Sequence, residues 1–64
     1  MSELIKKRVS ESVGKYSKIF LNNGWRYAGK ITNFDETYVE ILDDKTSSYK
    51  IIKFIDVKDC EVEQ

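Results

Sequence analysis

With 64 residues the chain is long enough for one small domain. A domain of this size has a marginal core, and such chains are commonly supported by disulfides, metal or association. Eleven basic and eleven acidic residues cancel, which excludes a global field for polyanions or membranes and leaves only local patches. Cys60 is the single cysteine and histidine is absent. An internal disulfide is therefore excluded, a zinc site is not expected, and self-association remains as the support.

No apolar run approaches the ~18 residues that span a bilayer, and Met1-Ser2-Glu3 lacks the basic-then-apolar layout of a signal peptide. The expectation is a soluble, cytoplasmic protein. Cys60, flanked by strand-forming residues, reads as a small buried hydrophobe.

Leu4, Ile5, Val9 and Val13 draw a narrow apolar stripe, which predicts a short amphipathic helix over 2–13. Ser2 caps its start and Gly14 takes the left-handed position after its end. Lys6, Lys7 and Arg8 lie towards its wet side. Alternation then predicts a strand over 16–21, with Ile19 and Leu21 inward and Phe20 outward. Asn22-Asn23-Gly24 is a hairpin turn, because Asn and Gly accept positive φ.

A second strand runs from about Trp25 to Phe34, with Tyr27, Gly29 and Ile31 opposing Arg26, Ala28 and Lys30. A glycine alone in a strand, as Gly29 is, marks a sharp bend or close backbone approach. After the break at Phe34-Asp35-Glu36-Thr37, a third strand over 38–42 turns Val39 and Ile41 inward. Asp43-Asp44-Lys45-Thr46-Ser47 reads as a solvated loop. A fourth strand over 48–54 sets Lys50, Ile52 and Phe54 against Tyr49, Ile51 and Lys53. Residues 55–58 form a break with room for one helical turn, and a last strand over 59–63 carries Cys60 and Val62. Hairpin connections make the five strands antiparallel, since nothing after residue 14 can hold a crossover helix. The fold class is mainly β: a short helix on residues 1–14, then a strongly bent five-stranded sheet on 16–63 forming a small open barrel in a single domain.

Leu21-x-Asn23-Gly24, then Gly29-x-Ile31-x-x-Phe34-Asp35, then the apolar run ending in Ile41-Leu42, resembles the first signature of the Sm-like (LSm) family, and the Asn-Gly form is most similar to its bacterial branch, Hfq. Phe54-x-Asp56-Val57-Lys58-Asp59-Cys60-Glu61-Val62 resembles the closing strand pair. The resemblance implies a bent barrel that pairs its fourth strand with the fifth of the next copy, giving a homo-oligomeric ring of five to seven subunits, and it implies binding of single-stranded RNA. It also implies that Asp35 orders its loop through backbone hydrogen bonds.

The pore pocket of the family is poorly matched. Val39 stands where eukaryotic members have Asn, and Phe54-Ile55 falls where Hfq has Lys-His, with Lys53 one place away as the substitute cation. The hairpin face matches better. An aromatic stands at Phe20, and the adenine-rich RNA site of Hfq is lined from the positions of Gly24, Trp25, Arg26, Tyr27 and Ala28, the last replacing a Gln. Phe20, Trp25 and Tyr27 offer rings for stacking, with Lys18 and Arg26 beside them for phosphates. The expected function is a non-catalytic ring that binds RNA on this hairpin. The alternative is a ring serving as a scaffold without RNA. No nucleophile–base pair, phosphate loop, cofactor or small-molecule substrate is expected.

Overall fold

The computed structural model describes residues 3 to 63. In chain order it has helix α1 (Glu3–Glu11), strands β1 (Tyr16–Leu21), β2 (Arg26–Phe34), β3 (Tyr38–Asp43) and β4 (Ser48–Lys53), a 3-10 turn (Phe54–Asp56) and strand β5 (Val57–Val62). The strands form one antiparallel sheet in the order β4-β3-β2-β1-β5. The sheet curls but does not close, and β4 and β5 are its two margins. This is the helix-then-open-barrel architecture expected from the sequence.

Alternation in β1 and β2 sorts the side chains. Ile19 and Ile31 point inward with Val39, Ile41, Ile52, Phe54, Val57 and Cys60, and Val9 of the helix seals one end. Ile5, Leu21 and Tyr27 pack against this cluster. Gly29 lies opposite both Ser17 and Asp43, where its missing side chain lets the β3 backbone approach closely. A second distortion is the register shift between Ile31 and Asn33. Thr32 sits there, and its hydroxyl donates to the Glu40 carboxylate at 2.7 Å.

Several expectations need correction. The helix ends at Glu11, and Gly14 lies further on, in a turn closed by Lys15 N–H donating to Ser12 O. Gly14 does adopt positive φ, at 85°, but as a turn residue rather than as the helix terminator. Val13 leaves the helix to bridge Ile31, and Leu4 is 75% exposed, so only Ile5 and Val9 of the stripe face the core. The capping role given to Ser2 lies outside the described residues.

Asp43 is not in a solvated loop. It ends β3 and is only 5% exposed, because the register with Gly29 turns it inward. Its buried oxygens are satisfied by the Lys45 N–H at 3.2 Å and the Thr46 hydroxyl at 3.0 Å. The last strand starts two residues before the expected position, at Val57, so that Val57 joins the core. The helical turn expected within 55–58 begins at Phe54.

Candidate nucleic-acid interface

The β1–β2 hairpin carries most of the candidate residues. Its loop is closed by Gly24 N–H donating to Leu21 O at 3.1 Å and Leu21 N–H donating to Trp25 O at 2.7 Å. Gly24 alone takes the positive φ, at 91°, as expected of a three-residue loop ending in a left-handed residue. Asn23 Oδ1 accepts the Trp25 N–H at 2.9 Å, which fixes the backbone under the indole. Asn22 ties the tip to the 3-10 turn, its N–H donating to Asp56 O at 2.9 Å and its Nδ2 to Ile55 O at 3.1 Å. The tip is a braced platform. On it Trp25 is 67% exposed.

The cross-strand register divides the remaining candidates. Phe20 lies opposite Arg26, and Lys18 opposite Ala28, on the outer face of the sheet. Tyr27 lies opposite Ile19 and turns towards the core. The hairpin rings are not equally accessible: Trp25 is exposed, Phe20 is half-buried on the outer face, and Tyr27 is half-buried and packs against the core cluster. Gly24, Trp25, Arg26, Tyr27 and Ala28 nevertheless line one open groove of about 810 Å³. Its far wall comes from Tyr16, Lys50 and the β3–β4 turn with Asp43, Asp44, Lys45 and Thr46. Sequence reasoning missed this wall, because only the register brings the turn beside the hairpin.

Lys53 is elsewhere. It pairs with Tyr38 at the end of β4 and lines a separate hollow of about 500 Å³ with Tyr27, Tyr38 and Asp56. Asp35 Oδ1 accepts the N–H groups of Thr37 at 2.8 Å and Tyr38 at 2.7 Å. These two bonds, the Tyr38 one foremost, favour the charged form and hold the carboxyl below its ordinary 3.8. A depressed carboxyl stabilises the fold above its unfolded-state pKa and loses that contribution as pH falls. Asp35→Ala is therefore expected to be less stable than the parent at neutral pH, and the gap should narrow as pH drops below about 4. Urea midpoints of both proteins at pH 7 and pH 3 check this.

Burial pushes the Cys60 thiol up to about 11, so at neutral pH it is protonated and a poor nucleophile. Among the described residues, no group of three His, Cys, Asp or Glu is placed to hold a metal ion. No described helix is long and apolar enough to cross a membrane.

Compared with solved structures, the chain matches a 1.55 Å crystal structure of the pleiotropic translational regulator Hfq, with a TM-score of 0.80 over 94% of this chain and 100% of that one. The fold is that of Hfq. Sequence identity to that Hfq chain is 16%, so the likeness is one of architecture, and the Sm-like signature read from Leu21 to Leu42 agrees with it. No family model matches the chain, and no curated protein is significantly similar to it.

Proposed function

We propose that the protein is a non-catalytic, cytoplasmic Sm-like ring protein that binds single-stranded RNA on the outer face of its β1–β2 hairpin. The observation that carries this reading is the exposed Trp25 on a braced tip, lining one groove with Arg26, on the hairpin that also carries Phe20 and Lys18. A solvent-facing indole with Arg26 in the same groove suits a stacked base and its phosphate. Gly24 lets the backbone turn under that base. Lys53, with Tyr38, offers a second and smaller contact at the end of β4.

Association follows from the sheet's margins. β4 and β5 each have a side with no strand partner among the described residues, and Tyr49 and Ile51 stand exposed on β4. Such a margin is prone to pair with another chain, and a head-to-tail ring of five to seven copies satisfies each one. Repeated weak sites around the ring then gain avidity. Light scattering on the purified protein tests the assembly, with a monomer counting against it.

Titration of labelled oligoadenylate and oligouridylate tests the binding. Trp25→Ala and Phe20→Ala are each expected to weaken it by roughly 1–3 kcal/mol per lost stack, or about 5- to 150-fold. Salt-independent or absent binding at micromolar protein overturns the reading. The scaffold alternative rests on the zero net charge, and nucleic acid copurifying with the protein counts against it.

A further inference from the structure

The two walls of the groove differ in chemistry. The hairpin wall offers Trp25 and Arg26; the other is the β3–β4 turn, where two neighbouring carboxylates have separate fates. Asp43 is buried and both of its oxygens are engaged within the turn. Asp44 donates its N–H to Ala28 O at 2.8 Å, which fixes its backbone beside Ala28. Its carboxylate is exposed and has no hydrogen-bond or ion-pair partner among the described residues.

On the other side of Ala28 the register sets Lys18. Alternation places Lys18, Ala28 and Asp44 in one row across the outer face. Ala28 thus lies between Lys18 and Asp44, whose backbones are two strand spacings apart, roughly 10 Å. The small Ala28 side chain leaves the groove floor beside the Asp44 carboxylate open.

We propose that Asp44 makes this groove select guanine in single-stranded RNA; the proposal rests on the RNA reading above and names its base. A carboxylate only accepts hydrogen bonds, and it does so through two oxygens. Guanine presents two adjacent donors, N1–H and the N2 amino group, which match both oxygens in a charge-assisted pair. Adenine and cytosine set a ring-nitrogen lone pair beside their amino group, which opposes the second oxygen. Uracil offers one N–H between two carbonyls. The same charge repels phosphate, so the RNA backbone runs along Arg26, Lys45 and Lys50 while the base edge turns to Asp44.

The test is fluorescence anisotropy with short uridine-rich strands carrying one central guanine, inosine, adenine, cytosine or uridine. Inosine differs from guanine only by lacking the N2 amino group. The guanine strand is expected to bind about tenfold tighter than the inosine strand. Asp44→Asn keeps the N–H that bonds Ala28, and it is expected to bind all five strands within about twofold of one another. Equal binding of guanine and inosine strands by the parent protein overturns the assignment, as does a guanine preference that survives in Asp44→Asn. If the strands bind without discrimination and Trp25→Ala still weakens them, RNA binding stands and the role of Asp44 falls. If no strand binds the parent protein, the RNA reading itself falls.

Discussion

Gly29→Val is expected to unfold the subunit. A Cβ built on Gly29 would overlap the carbonyl oxygen of Leu42 and lie 2.9 Å from its carbonyl carbon and 3.1 Å from the Asp44 nitrogen. These are backbone atoms of the neighbouring strand, so no rotamer change relieves the overlap. The strands would have to part where the barrel curls. Overpacking a core with a few methyl groups costs about 1–3 kcal/mol, and a clash against backbone falls at or beyond the top of that range. A chain of this size has total stability of roughly 3–10 kcal/mol, so little folded protein should remain at 37 °C. Far-UV circular dichroism and urea titration measure this.

Gly24→Ala is the control. Nothing lies within 4 Å of its added Cβ, and the cost is only that of an alanine held at positive φ, about 1–2 kcal/mol. Gly29→Ala with a midpoint equal to that of the parent would remove the close approach as the cause of the bend.

Phe54→Ala is expected to cost about 3–5 kcal/mol, the usual range for deleting a buried ring. Phe54 is 1% exposed and sits where β4 ends and the 3-10 turn begins. Its N–H donates to Thr37 O at 2.9 Å, tying the turn to the loop ahead of β3. Above the ring, the Lys6 ammonium lies 5.7 Å from its centre, a distance at which a cation is held by the ring face. Removing the ring therefore opens a cavity and also removes the Lys6 contact from the helix. Phe54→Leu, which keeps most of the volume, should lose markedly less. Thermal melts of the two variants make the comparison, and equal melting temperatures would show that the cavity is not the source of the loss.

The strands were legible because period-two alternation is a strong signal when one face is buried. β1 begins at Tyr16 and ends at Leu21, as alternation alone gives. Gly29 announced the bend because a glycine within a strand has few other reasons to be there. Local polarity misled at Asp43, where two adjacent carboxylates looked like solvent-facing loop. Its burial depends on a partner strand 14 positions earlier, and on hydroxyl and amide donors supplied by its own turn. Helix length was overestimated for a related reason: Val13 is apolar at the right spacing, yet it gains more by bridging Ile31.

The site was half visible. Phe20, Trp25 and Arg26 could be picked out because rings and cations on a hairpin stand out. Tyr27 has two faces: opposite Ile19 it packs against the core cluster, and it also lines the groove. Asp44 and Lys45 are polar residues in a polar stretch and Lys50 is a lysine in an alternating strand, and nothing local distinguishes them. Only the antiparallel registers of β2 with β3 and of β3 with β4 carry them to the hairpin.

The strand order has a consequence for how the molecule is made. β5 pairs with β1, the first strand of the chain, so Ser17 must find Val62 and Ile19 must find Cys60 across some forty intervening residues. A nascent polypeptide can zip β1 to β4 as successive local hairpins, but it lacks Val57 and Cys60 until β5 has been made. Sequence-distant pairing of this kind slows the final step. The unfinished four-stranded ribbon, its β1 flank bare, is then the species most exposed to chaperones and to sticking to its neighbours.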